Sequence, residues 1–110
     1  YKQCIDNDKI KVPVVPIGKK HSWQTFHIII DDVVNRDNVI IELKKKNIGT
    51  NYGAQCLPNE QYYKKQYNLN CDKLFPNAMV AYKQGLGLPL YEKLTHEQIE
   101  DISKILNNII

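Results

Sequence analysis

Residues 75–102 read FPNAMVAYKQGLGLPLYEKLTHEQIEDI, and the fold class follows from this stretch. Pro76 suits the first turn of a helix, where its missing N–H is not needed, so a short helix is predicted over 76–83. Gly85, Gly87 and Pro89 then punctuate a strand over Leu86–Tyr91. Pro89 cannot donate to a ladder, which confines that strand to an edge or an end. Thr95 followed by Gln98 is a capping box, in which each side chain satisfies the other's backbone N–H. It opens a final helix with Ile99, Ile102, Ile105, Leu106 and Ile109 at helical spacing on one side. Glu97, Glu100 and Asp101 load its beginning, where the helix dipole favours anions.

Upstream, His21 to Asp31 (HSWQTFHIIID) reads as the first strand, and the apolar run Ile28-Ile29-Ile30 points to a central one. A helix is predicted from Asn35 or Arg36 to Lys46. Val39, Ile40 and Leu43 share one face, and Lys44-Lys45-Lys46 fill the last turn. Asn47 then stands where a left-handed C-cap residue belongs. Ile48 to Cys56 is predicted as a second strand with bends at Gly49 and Gly53. Asn59 to Gln66 is predicted as a short Tyr-rich helix and Asn68 to Lys73 as loop. Residues 1–20 read as a connector, because Pro13 and Pro16 block a helix and Gly18-Lys19-Lys20 forms an exposed turn. The total is an α+β layer of about three strands with helices on one side.

At 110 residues and 12.8 kDa there is room for one domain. A hydrophobic content of 43% and a charged content of 25% exclude collagen-like, coiled-coil and disordered classes. No apolar stretch approaches the roughly 20 residues of a membrane span, so no membrane partner is expected. The net charge of +3 rests on 14 lysines, with Arg36 the only arginine. Nucleic-acid readers lean on arginine forks, so no nucleic-acid partner is expected either. Cys4, Cys56 and Cys71 form no CxxC pair and read as reduced cytosolic thiols.

His21 and His27 share one face of the predicted strand but lie too far apart to chelate one metal, and His96 stands alone in a helix turn. No metal site is expected. Cys56 with His21 or His27 would have the makings of a nucleophile and base, without an orienting motif. Gly85-Leu86-Gly87 lacks the third glycine of a dinucleotide fingerprint. Tyr52, Tyr62, Tyr63, Tyr67, Tyr82 and Tyr91 can stack on rings or fill the core. No complete catalytic set emerges from these residues.

Taken in order, the segments resemble the C-terminal small domain of the DegT/DnrJ/StrS group of pyridoxal-phosphate-dependent sugar aminotransferases. HSWQTFHIIID is similar to the group's His-Ser-Trp-His-x-Tyr strand, and NRDNVIIELKKKNIGTN to its Arg-Asp…Leu-Lys…Gly-Ile-Gly-Thr segment. YGAQCLPNEQYYKKQY resembles the following loop and helix. FPNAMVAYKQGLGLPLYEKLTHEQIEDI is the most specific piece, with F-P-x-A, L-P-L-Y and a Leu-Thr cap. The chain departs from the group at Asn47, where relatives have Gly, and at Pro58, where many carry a substrate-facing histidine.

The resemblance implies a small antiparallel sheet with helices on one side, as in fold type I transferases. Residues 1–20 would connect to a large domain outside this stretch, and 21–110 would form the small domain. The implied parent is a cytoplasmic homodimer that moves an amino group, typically from glutamate, to a nucleotide-linked keto sugar. Its products would enter surface polysaccharides or antibiotic sugars. Pyridoxal 5'-phosphate and its lysine would belong to the large domain, so this stretch alone should be inactive and contain no catalytic residue. Its part would be to close one wall of the sugar-nucleotide cleft, with Asn51, Tyr52 and Gln55 as substrate-binding residues and Trp23 behind them. The competing expectation is a free-standing, non-catalytic binding or dimerisation module.

Overall fold

Side chains alternate across a strand, so a segment with one face buried carries its large apolar residues at every second position. Phe26, Ile28 and Ile30 do so in the computed structural model, which describes all residues from Tyr1 to Ile110. They lie on β2 (Phe26–Ile30), the centre of a three-stranded antiparallel sheet between β1 (Ile10–Lys11) and β3 (Gly85–Leu88). Ile10 pairs with Ile30, Ile28 with Leu86, and Phe26 with Leu88. All the large residues of these pairs therefore share one face. The opposite face carries His27 and Ile29 against Gly87 and Gly85.

Helices α1 (Arg36–Lys45) and α5 (His96–Ile109) are the longest, and both supply residues to the core on the apolar face. Val39, Leu43, Ile102 and Leu106 close over the sheet, and Ile28, Ile30, Leu43, Leu86 and Leu106 are fully buried. Each such side chain contributes about 2 kcal/mol by burial. The α+β layer with a small antiparallel sheet is thus the fold observed.

Both predicted helix ends of α1 appear. The Asn35 side chain accepts from the Asn38 N–H at 3.0 Å, and Asn47 takes φ 60°. The N–H groups of Asn47 and Ile48 donate to the Lys44 and Leu43 carbonyls at 3.0 Å each, the Schellman pattern. At α5 both bonds of the Thr95–Gln98 capping box are present.

The structure corrects several expected boundaries. The strand expected over 48–56 does not form, because Gly53 turns the chain at φ 70° and only Asn51 makes an isolated bridge, to Gly87. The third strand is instead β1, inside the segment read as a connector. There the Tyr1 ring packs at a tilt against Phe26, 5.0 Å between centroids, and its hydroxyl donates to the Pro89 carbonyl at 2.9 Å. Burial, with Tyr91 adding to it, pushes this phenol up to about 12. The strand expected from His21 begins only at Phe26, because Trp23 sits at φ 50°. The strand expected to reach Tyr91 ends at Leu88, just before Pro89.

Between the bridge and β3 lie a 3-10 turn (Leu57–Asn59), α2 (Gln61–Tyr67), α3 (Cys71–Leu74) and α4 (Pro76–Gln84). Helix α3 occupies a stretch read as loop, since the Asn70 side chain caps it by accepting from the Lys73 N–H. Cys56, Cys71 and Met79 form a second, smaller core there. No helix is long and apolar enough to cross a membrane.

Candidate functional site

The glycine-bearing face of the sheet positions the candidate site. Gly87 pairs with His27 on one side and with Asn51 on the other. An added Cβ there would lie 2.6 Å from Asn51 Oδ1, so only glycine lets the 51–55 turn approach this closely. Asn51 Oδ1 accepts from the Gly53 N–H at 2.8 Å, and the Ala54 N–H donates to the Tyr52 carbonyl at 2.8 Å. The resulting turn, Asn51 to Gln55, lines an open pocket of about 320 Å³. Asn51, Tyr52 and Gln55 are all exposed. Three of the four expected site residues therefore meet in one pocket, where they offer an aromatic ring, a hydroxyl and two amides.

Trp23 does not join them. Its ring stacks on Phe26 at 5.7 Å and lies tilted against His21 at 4.2 Å, with Lys2 Nζ 5.4 Å from the ring centroid. The left-handed backbone at Trp23 turns the chain just ahead of β2 and commits the ring to the core edge.

Beneath the turn lies His27, whose Nε2 is buried without a hydrogen-bond partner. A Cβ at Gly53 or Gly85 would overlap the imidazole, so these two glycines form its cradle. Burial lowers the pKa of His27 below its ordinary 6.5, partly opposed by a hydrogen bond to the Tyr52 backbone. The ring is therefore neutral at neutral pH. Neither His21 nor His27 hydrogen-bonds Cys56, which is buried against Cys71 and Met79, so the Cys–His arrangement is not assembled. No three metal-ligating side chains come together.

Beside the turn stands Arg36, which sequence reasoning passed over. Its side chain is 10% exposed, its Nε donates to Asp37 at 2.7 Å, and one terminal nitrogen donates to the Tyr82 and Gly85 carbonyls at 3.1 and 2.8 Å. The guanidinium lies 4.3 Å from the Tyr52 ring centroid. One signal was present in the sequence: a cation at the first position of a helix opposes the helix dipole and needs another reason to be there.

Pyridoxal phosphate requires an enclosed lysine and a phosphate cradle. All 14 lysines here are exposed and none lines the 51–55 pocket. The residues of this chain do not fit that cofactor.

Comparison with known proteins gives a consistent family. A model described as the DegT/DnrJ/EryC1/StrS aminotransferase family matches residues 1–107. An uncharacterized protein of Methanocaldococcus jannaschii, MJ1066, is 31% identical over 114 residues, covering 100% of this chain and 29% of the relative. The spore coat polysaccharide biosynthesis protein SpsC of Bacillus subtilis is 31% identical over 102 residues, covering 89% and 26%. The apo-form of the putative sugar aminotransferase Spr1654 of Streptococcus pneumoniae superposes with a TM-score of 0.83 at 20% identity, covering 98% of this chain and 27% of that one. The chain thus spans less than a third of the length of the relatives it matches.

Proposed function

The chain belongs to the DegT/DnrJ/EryC1/StrS aminotransferase family, and from that premise we propose that it is the small C-terminal domain of a pyridoxal-phosphate-dependent sugar aminotransferase. In this reading the protein moves an amino group from a donor such as glutamate to a nucleotide-linked keto sugar, in the synthesis of a surface polysaccharide. It works as a cytoplasmic homodimer. A larger domain outside these 110 residues carries the cofactor, which supplies the electron sink for the transfer.

This chain's own part is the sugar-facing wall at Asn51, Tyr52 and Gln55. Their amides and hydroxyl can pair with sugar hydroxyls, and the closed wall excludes water from the reacting centre. The observation that carries the reading is the family match across residues 1–107, joined to a fold that superposes over 98% of the chain.

The test starts from the native product of the gene, captured from its own cells and weighed intact. It is then supplied with pyridoxal phosphate, glutamate and a nucleotide-linked keto sugar. The expected result is a polypeptide several times heavier than 12.8 kDa that forms amino sugar and 2-oxoglutarate in equal amounts. A native product of 12.8 kDa that transfers nothing would leave a non-catalytic binding module.

A further inference from the structure

The turn at 51–55 has little of its own to hold it. It makes one isolated bridge to the sheet, its residues Asn51 to Gly53 are exposed, and the positions facing it on β3 are glycines with no side chain to grip it. Arg36 supplies the missing lateral contact. Its guanidinium plane is fixed by Asp37 at 2.7 Å and anchored to the α4–β3 junction through the Tyr82 and Gly85 carbonyls. The Tyr52 ring then packs on that fixed plane, 4.3 Å from centroid to guanidinium carbon. Planar stacking on an aromatic ring and a rigid fork of donors are properties of arginine that lysine lacks.

We propose that Arg36 is the positioning residue of the Asn51–Gln55 wall, holding Tyr52 in its ligand-facing place from the start of α1. The Arg36 side chain is nearly buried, and its Nε and one terminal nitrogen are held by Asp37 and two backbone carbonyls, which commits it to positioning Tyr52 rather than to reaching a ligand. The consequence for substrate, that Arg36 sets how tightly a nucleotide sugar is held, rests on the aminotransferase reading above. The positioning itself does not.

The test uses the intact protein expressed from its own gene, with Arg36→Lys, Arg36→Gln, Tyr52→Leu and Tyr52→Phe. Hydrogen exchange is followed in peptides spanning 49–57 and in α5, and binding is titrated with UDP-N-acetylglucosamine as the probe. Loss of the guanidinium–ring contact should speed exchange at 49–57 about tenfold in Arg36→Lys and Tyr52→Leu, with α5 unchanged. Tyr52→Phe, which keeps the ring, should match the unmodified protein in exchange at 49–57, while loss of the hydroxyl should weaken probe binding. If Arg36→Gln does not fold, Arg36→Lys and Tyr52→Leu decide alone. Unchanged exchange at 49–57 in both overturns the proposal. So does weakened probe binding without faster exchange in Arg36→Lys, since Arg36 would then touch the ligand directly. Faster exchange with unaltered probe binding upholds the positioning role and removes the wall from the substrate site.

Discussion

Gly85 has an ordinary extended backbone at φ −73° and ψ 140°, so its need for glycine is one of space. A Cβ there would overlap the Ala81 carbonyl oxygen, which is backbone and cannot swing aside, as well as His27. Gly85→Ala should therefore cost about 3 kcal/mol, near the upper end for overpacking, read as a fall in the urea midpoint at constant slope. His27 makes the neighbouring prediction in pH. Its folded pKa is depressed below 6.5, so on acidification the unfolded state takes up the proton first. The contribution of His27 is complete above pH 6.5 and is lost as pH falls from there through the folded value. His27→Gln should flatten that part of the stability–pH curve, and an unaltered slope would show that other groups set it. Neither residue's role was legible in the sequence, where Gly85 reads as punctuation and His27 as one of two spaced histidines. Their meaning comes from the 53 and 81 segments arriving on the same face.

At the scale of elements, the helix signals were legible because they are local. Asn35, Asn47, Thr95 and Gln98 all make their capping contacts within a few residues. Thr95→Ala should lower stability by about 1 kcal/mol, and Gln98→Ala by less, both measurable in thermal unfolding. Asn47→Ala should cost about 1 kcal/mol through its left-handed backbone, whereas Asn47→Gly should be neutral or stabilising. The strands were less legible. Residues 48–56 have strand-like composition but no partner beyond one bridge, because the Asx turn at Asn51 and the left-handed Gly53 bend the chain off the sheet edge. Ile10 and Lys11 have no strand signal of their own, and they pair only because β2 presents an open edge to them.

The whole molecule is open for its length. Its radius of gyration is 15.4 Å against about 13 Å for a compact chain of this size, and only 17 of 110 residues are buried. Much of the exposed apolar surface lies between Leu57 and Val80, where Leu57, Tyr62, Tyr67, Leu74, Phe75 and Val80 all face solvent. Surface of this kind belongs against something else. The 110-residue chain alone should accordingly self-associate with rising concentration in light scattering and bind an apolar dye. A monomer at every concentration, dark to the dye, would mean that the surface is self-sufficient.

By itself the sequence determined the helices other than α3, the caps of α1 and α5, the central apolar strand and the family, since each is written in residues near one another or in the order of whole segments. It also brought Asn51, Tyr52 and Gln55 forward together, because they are neighbours in the chain. Only the tertiary structure decided that β1 rather than 48–56 completes the sheet, that Trp23 belongs to the core edge, and that Arg36 stands under Tyr52. Those outcomes depend on pairings between segments up to tens of residues apart. Edge hydrogen bonds, glycine-sized clearances and a single guanidinium leave no periodic trace along the chain.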